Sequence, residues 1–398
     1  MHPVEDIKSV KSNFLKNKTI VLAVTGSIAA IETIKISREL IRHGAKVIPV
    51  MTKAATKIIH PDALWFATGK KPIIELSGAT EHVSYLGRVK KPADMLLICP
   101  ATANTISKIA YGIDDTAVTT FATTAIGSKT PVMIVPAMHL SMYDHEILQE
   151  NISKLKKIGI KFIEPNILGN KAKLPSNEKI VANVLRLLSK KSYNQKKVLI
   201  IGGPTVEEID EIRVFTNKSS GKTAVNLARN AFFYGADLTL FYGNGSEIVP
   251  DYIKKTDFTS IKDLKKLIEK SDLDKYDYIF VCAAISDYIP EKSEGKIPSG
   301  KKSLSIELTP AEKIISIVRK KAKKAKIIGF KAETKEEKIV DKSKKLLEKN
   351  NLDFVIGNKI SAFSSNENKI FIIDKKGKTV SKKDNKDELA RFILNKVK

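Results

Sequence analysis

No apolar run in this chain of 398 residues approaches the roughly 18 needed to cross a bilayer, and the opening segment MHPVEDIKSVKSNFLKN has no apolar core of the kind a secretory signal carries. A soluble, cytosolic protein without a membrane partner is the expectation. Cysteine is scarce as well. The two present, Cys99 in MLLICPA and Cys282 in YIFVCAA, each end an apolar run with no second ligand at metal spacing, which excludes a disulfide framework and reads both as buried core thiols. The stretch TNKSSGKTAVNLA (216–228) ends like a nucleotide-binding loop in Gly221, Lys222 and Thr223, yet lacks what that loop requires. Thr216 stands where the first glycine must bend the backbone around a phosphate, and the apolar run VLII (198–201) ends too far upstream to feed the turn. A Walker loop is excluded, and the stretch needs another explanation.

What is abundant is lysine. The formal charge of +25 raises nucleic acid as a partner. The lysines, however, are strewn along helical faces such as EEKIVDKSKKLLEKN without the interleaved aromatics of a base-stacking surface, so a solvated basic surface is expected and nucleic-acid binding is not. Lysine with glutamate enrichment also suits a heat-tolerant protein. At roughly 150 residues per domain the length implies two or three, and a hydrophobic content of 42% is ample for packed interiors.

The two halves share one grammar. TIVLAV (19–24), a short run of the kind buried in parallel sheets, leads through TGSIAA to the amphipathic IETIKISRELIRHG and then GAKVIPVMT. VLIIGG (198–203) leads, after a long loop, to TAVNLARNAFFYG and GADLTLFYG. Each Gly-Ala, at Gly44 and Gly235, fits a helix end passing into a strand. Two doubly wound α/β domains follow, with the boundary in the polar SKKSYNQKK near residue 192, giving domains 1–191 and 192–398. Further strands read at 95–100, 131–137, 278–284, 326–330 and 354–358, and their carboxyl ends are where ligands of such sheets bind.

In the first half, the turn Gly26, Ser27, Ile28, Ala29 sets backbone N–H groups and a hydroxyl before a helix, an anion site. The GxGxxG fingerprint of a dinucleotide fold is missing, and Thr52 stands where its acidic residue is expected, so a mononucleotide phosphate fits better. PATANT (100–105) offers small residues for a flat ring, with Thr102 and Asn104 as hydrogen-bond partners. GSIAA, EHVSYLG (81–87), PATANT and PAMHLSMY (136–143), in this order and spacing, resemble the FMN-dependent cysteine decarboxylases of flavodoxin-like fold. That resemblance implies FMN held by Gly26, Ser27, Ile28, Ala29, Thr52, Ala101, Thr102, Asn104 and Met138. It implies a reaction in which FMN oxidises the substrate's cysteine side chain to a thioaldehyde, an electron sink that lets CO2 leave, with His82 as base or proton relay. Where the family has an asparagine on the substrate carboxylate, this chain has His139, which can also donate a hydrogen bond. Where bacterial relatives carry a cysteine in a flap, LGNKAKLPS (168–176) has none, so Lys171, Lys173 or water supplies that proton, or the flap is organised differently.

The second half resembles phosphopantothenate:cysteine ligases. GGPTVEEIDEIRVFTNKSSGK (202–222) matches their GPTxExxDxVRxxxNxSSGK almost throughout. The SSGK stretch is then a helix start whose Ser219, Ser220 and Gly221 offer donors to an anion without Walker geometry. The resemblance implies attack of the 4'-phosphopantothenate carboxylate on the α-phosphate of CTP, release of pyrophosphate, and displacement of CMP by the cysteine amine. Asn217 stabilises the acyl-nucleotide with Arg213 beside it; Ala283, Ala284 and Asp287 in CAAISDY hold nucleotide or metal; Lys296 in GKIPS, Phe330 in IGFKAET, the pair Lys345 and Lys349, and Asn358 complete the site. Mg2+ is implied, with Asp287 as its protein ligand.

Together the halves resemble a bifunctional enzyme of coenzyme A biosynthesis, ligating first and decarboxylating second. Kinship implies homo-oligomers, with trimeric flavin domains and dimeric ligase domains that together allow a dodecamer. A flavin prenyltransferase and a non-catalytic FMN-binding regulatory protein share the first fold, but the former leaves residues 198–360 unexplained and the latter leaves His82, Asn217 and Lys296 without use.

Overall fold

A computed structural model of the chain describes residues 2–298, 300, 303–359 and 367–398. The chain divides into two compact units, Met1–Ser189 and Lys190–Lys398. In the first unit the strands are β1 (Thr19–Val24), β2 (Lys46–Met51), β3 (Met95–Ala101), β4 (Val132–Pro136), β5 (Met138–His139), β6 (Lys161–Phe162), β7 (Asn166–Leu168) and β8 (Lys171–Lys173). A parallel sheet runs in the order β2-β1-β3-β4-β6. This is the flavodoxin-like winding, in which the strand order reverses between β1 and β3.

The uniform burial of β1, β3 and β4 explains why these segments read as unbroken apolar runs, since helices cover both faces and no position alternates toward water. Asp94 sets the entry register, its carboxylate accepting from the Thr19 N–H at 2.8 Å and from Lys18 at 2.7 Å. The helix Thr33–Arg42 buries Ile36, Leu40 and Ile41 at i, i+4 spacing, and it ends at Gly44, whose φ of 100° turns the chain into β2. Phe121, fully buried on the helix Ala117–Gly127, anchors the core on one face of the sheet; burying a ring of that size contributes about 2–3 kcal/mol. A second, three-stranded antiparallel sheet, β5-β8-β7, sets the 136–143 and 166–173 segments side by side.

The second unit contains β9 (Lys197–Gly202), β10 (Val206–Glu208), β11 (Val214–Thr216), β12 (Asp237–Tyr242), β13 (Lys255–Asp257), β14 (Tyr278–Val281), β15 (Tyr288–Pro290), β16 (Leu308–Pro310), β17 (Lys326–Glu333), β18 (Phe354–Lys359), β19 (Glu367–Asp374) and β20 (Thr379–Asn385). Its main sheet runs β13-β12-β9-β14-β17-β18-β19-β20. The first six strands are parallel in Rossmann-like order. The last two were not expected from the sequence: β19 pairs antiparallel with β18, and β20 with β19. β20, TVSKKDN, alternates between exposed and half-buried positions, and its lysines suit the unpaired edge of a sheet. Among the described residues no helix is long and apolar enough to cross a membrane.

Candidate functional site

In the first unit a cleft of about 630 Å3 opens at the carboxyl ends of β1, β2 and β3, the point where the strand order reverses. It is lined by Gly26, Thr52, Thr102 and Asn104, four of the residues expected there, and by Ala54, Thr105, Ala117 and Thr119. Three local structures build it. Thr102 caps the helix Ala103–Tyr111, and its own N–H donates to the Thr25 hydroxyl oxygen at 3.1 Å. Thr52 caps the helix Lys53–Thr56, accepting from the Ala55 N–H at 3.1 Å. Gly26 packs so tightly against Ala54 that a Cβ would lie 2.6 Å from the Ala54 methyl, so the turn after β1 can lie flat only with glycine there.

The remaining expected residues surround this cleft rather than line it. Ser27 caps the short helix Ile28–Glu32 and donates to the Ala137 carbonyl at 3.1 Å, tying the turn after β1 to the one before Met138. Ala29 gives its N–H to Ser27, Ile28 is exposed, and Ala101 is buried. His82 stands on the helix Glu81–Leu86 with its ring edge-on to Phe121 at 6.4 Å between centroids, and its Nδ1 is buried without a hydrogen-bond partner. Phe121 is on the same helix as Thr119 and Thr120 of the cleft wall. His139, exposed on β5, lies directly across from Lys171 on β8, and the Leu140 N–H donates to the Asn170 carbonyl at 2.9 Å. The cysteine-free flap is therefore paired, strand to strand, with the segment carrying His139.

These residues fit a flavin mononucleotide. The cavity lies within the range of roughly 300–1000 Å3 usual for such ligands, its walls mix small apolar groups with threonine hydroxyls, and the orphaned Nδ1 of His82 waits for a partner that the protein itself does not supply.

The second unit has its own cleft, about 380 Å3, at the reversal between β9 and β14. Asn217, Ser219, Ser220, Gly221, Ala283, Ala284, Asp287, Phe330 and Asn358 all line it. The long loop after β9 is ordered by a hairpin, β10 against β11, and by bonds from its ends: Thr216 donates to the Thr205 carbonyl at 2.7 Å, and the Asn217 amide donates to the Ala284 carbonyl at 3.0 Å. Gly221 caps the helix Lys222–Phe233 in the left-handed region, φ 79°. That conformation is what the GK-like ending encodes, a helix start and not a Walker loop.

Four expected residues do not line this cleft. Arg213 pairs with Asp210 and donates to the Ile297 carbonyl at 3.3 Å. The Asp210 carboxylate also accepts from the N–H groups of Ile212 at 2.8 Å, Arg213 at 2.6 Å and Ile297 at 3.1 Å, and these backbone donors, Arg213 first, hold its carboxyl far below the usual range. Lys296, next to Ile297, lines a separate cavity of about 580 Å3. Asp210 thus ties the Arg213 turn to the Lys296 segment. Lys345 and Lys349 are exposed on the helix Ile339–Lys349. Asp287 is exposed at the cleft rim and accepts an ion pair from Lys313; among the described residues no group of three or more metal-ligating side chains gathers.

Cys99 is fully buried, but Cys282 corrects the expectation of two core thiols: it is half-buried and lines the second cleft, with Sγ donating to the Ile201 carbonyl at 3.4 Å. Sequence reasoning also missed Lys222, Lys331, Asn368 and Lys386 in that cleft, and the threonines of the helix Ala117–Gly127 in the first. For Lys386 the apolar repeat Leu389, Ile393, Val397 is a signal that could have marked a packed helix, but nothing local told which strand ends it would meet.

Residues 8–189 match the flavoprotein family model, and residues 193–398 match the model for the DNA/pantothenate metabolism flavoprotein C-terminal domain. The coenzyme A biosynthesis bifunctional protein CoaBC of Thermococcus kodakarensis is 45% identical over 100% of this chain and 99% of its own. That of Methanocaldococcus jannaschii is 40% identical over 100% of this chain and 98% of its own. A solved C-terminal domain of a coenzyme A biosynthesis bifunctional protein is 26% identical, covering 52% of this chain and 96% of its own, with a TM-score of 0.44.

Proposed function

The chain belongs to the family of coenzyme A biosynthesis bifunctional proteins, and on that premise we propose how its two clefts divide the work: residues 1–191 decarboxylate 4'-phosphopantothenoylcysteine with FMN, and residues 192–398 make that substrate from 4'-phosphopantothenate and cysteine with CTP and Mg2+. It is a bifunctional enzyme, with a flavoprotein decarboxylase domain and a ligase domain. A prenyltransferase or a regulatory flavin binder is disfavoured, because the relatives match across both halves.

In the second cleft the carboxylate of 4'-phosphopantothenate must become electrophilic, so negative charge accumulates on transferring phosphate oxygens and has to be met by fixed donors. The SSG turn supplies them at a helix start, and Asn217, pinned on the Ala284 carbonyl, presents its side chain at the same edge. Phe330 offers a face to the base, and Asp287 at the cleft rim would hold Mg2+, which would offset the charge of the triphosphate. Arg213 and Lys296 keep the cationic role that the resemblance implies, on segments that Asp210 ties together outside this cleft.

In the first cleft Gly26, Ser27, Thr52, Thr102 and Asn104 hold the cofactor, with Ile28, Ala29, Ala101 and Met138 shaping its surroundings. FMN when bound supplies reversible two-electron oxidation of the substrate thiol. His82, whose Nδ1 has no hydrogen-bond partner within the protein, moves the proton. His139 donates to the substrate carboxylate, and Lys171, Lys173 or water returns a proton to the enethiol intermediate; the pairing of β5 with β8, which sets His139 opposite Lys171, supports a lysine in that role. Assembly as a homo-oligomer of trimeric flavin domains and dimeric ligase domains, in the cytoplasm, completes the reading.

The observation that carries it is the convergence of Asn217, the SSG turn, Asp287 and Phe330 on one cleft in a chain matched end to end by bifunctional relatives. Incubating the full chain, reconstituted with FMN, with 4'-phosphopantothenate, cysteine, CTP and Mg2+ is the test. Pyrophosphate and CO2 together are expected. Pyrophosphate without CO2 overturns the role of the first cleft, and neither product overturns the whole assignment.

A further inference from the structure

Two buried polar side chains stand ahead of the turn that carries Asn217, and neither is among the residues that line the second cleft. Thr205 is fully buried just before β10, and Glu207, on β10, is 5% exposed. Every polar group of Thr205 is used. Its N–H donates to the Ala284 carbonyl at 3.2 Å, its carbonyl accepts from the Thr216 hydroxyl at 2.7 Å, and its Oγ1 accepts from the Ser286 N–H at 3.1 Å. Its hydroxyl also bonds the Glu207 carboxylate, which can only accept, so the hydroxyl hydrogen points there. Glu207 Oε1 accepts in addition from the Ile261 N–H at 3.0 Å, at the start of the helix Ile261–Lys270. Burial is the largest influence on the Glu207 carboxyl and raises it, against the bonds from Ile261 and Thr205.

These bonds end at the cleft wall. The Ala284 carbonyl that takes the Thr205 N–H is the one that takes the Asn217 amide, at 3.0 Å, so the two lone pairs of a single oxygen register Asn217 against Thr205. Ser286, held by the Thr205 hydroxyl, lies in the chain between Ala284 and Asp287, both of which line the cleft. Apolar packing could fix a loop to a sheet without burying a carboxylate, which costs free energy unless its donors are in place. What hydrogen bonds add is direction. A donor stabilises developing charge only if it is aimed before reaction, and a misplacement of about 1 Å costs about 100-fold in rate.

We propose that Thr205 and Glu207 are positioning residues of the ligase reaction. The hydrogen-bond chain from Ile261 through Glu207 and Thr205 to Ser286 holds the Asn217 amide in register with the Ala283, Ala284 and Asp287 edge of the cleft. The proposal rests on the reading of that cleft as the ligase site.

Initial rates of pyrophosphate release by the full chain, at varied CTP with saturating 4'-phosphopantothenate, cysteine and Mg2+, test it. Thr205→Val keeps the shape of the side chain and removes the hydroxyl, which leaves the Ser286 N–H unpaired and Glu207 one donor short. Its kcat is expected to fall about 10- to 100-fold with the KM for CTP changed less than about threefold, the split that a displaced transition-state group gives. Thr205→Ser restores the hydroxyl and should return kcat to within about threefold of the wild type. Glu207→Gln can accept from Ile261 but sets an amide donor against the Thr205 hydroxyl, and its kcat should fall about 10-fold. Amide exchange in β9 and β14 at wild-type rates reports that the second unit is folded, while the Ser286 amide should exchange faster in Thr205→Val and not in Thr205→Ser. Wild-type kcat in folded Thr205→Val or Glu207→Gln, equal losses in Thr205→Val and Thr205→Ser, or a loss carried by KM alone overturns the proposal and leaves the cleft a ligase site. A wild-type chain that releases no pyrophosphate overturns the reading of the cleft itself.

Discussion

Replacing Gly221 by alanine tests the link from a single backbone angle to the second cleft. Gly221 starts the helix Lys222–Phe233 at φ 79°, a region that costs an alanine about 1–2 kcal/mol. A Cβ built there falls 2.2 Å from the Tyr242 hydroxyl and 2.8 Å from two atoms of its ring. Tyr242 cannot easily yield, because it is 4% exposed and its hydroxyl donates to the Glu247 carbonyl at 2.9 Å, with the Ser220 carbonyl as an alternative acceptor at 3.2 Å. Forcing extra volume into such packing costs about 1–3 kcal/mol. The sum is roughly 2–5 kcal/mol, which lowers the thermal midpoint of a domain of this size by roughly 5–15 °C. Circular dichroism follows the whole chain through unfolding, while fluorescence of Trp65, the chain's one tryptophan, reports the first unit, so the two transitions are separately readable. Tyr242→Phe removes the atom in closest conflict. In a double-mutant cycle the pair is expected to cost less than the two single changes added, by about 1 kcal/mol. Pyrophosphate release should fall with Gly221→Ala, because the SSG turn is displaced. A loss of stability below about 0.5 kcal/mol, or strict additivity in the cycle, would refute the reasoning.

His82→Asn is expected to abolish CO2 release while pyrophosphate release continues, and Asn217→Asp to stop pyrophosphate release while CO2 still forms from supplied 4'-phosphopantothenoylcysteine; loss of both activities in either variant contradicts the division between the clefts. Asp210→Ala removes the acceptor shared by the N–H groups of Ile212, Arg213 and Ile297, so hydrogen exchange at these amides should accelerate. Because the Asp210 carboxyl is held below its usual value in the folded chain, the stability it brings is present above the unfolded pKa of about 4 and is lost as pH falls from there toward the folded value; the protection factor of the Ile297 amide, referred to its intrinsic exchange rate at each pH, should therefore hold between pH 7 and 5 and fall only in stronger acid. Burial pushes the Cys282 thiol up to about 12 and raises Cys99 further, so neither should form thiolate at pH 7, and a colorimetric thiol titration should find both unreactive until the chain is unfolded.

The sequence by itself determined the two α/β units and the parallel strands, and it pointed to stretches that line the two clefts. Those signals are local: an apolar run of a few residues, a glycine turning the chain by its positive φ, a small or polar group ending a strand. The helix start at Gly221 was legible in this sense, since the absence of a first glycine at position 216 excludes a Walker loop. Tertiary structure alone decided which ends meet. Asn217 reaches Ala284, far along the chain, because β9 and β14 are neighbours in the sheet, and Asp210 joins the Arg213 turn to Ile297 across a similar separation. The antiparallel strands β19 and β20 escaped notice because their pairing is nonlocal and their lysines resemble any solvated surface. Lys386 escaped for the same reason. In sequence it is one lysine among many, and only the packing of its helix against the helix Lys222–Phe233 takes it out of water.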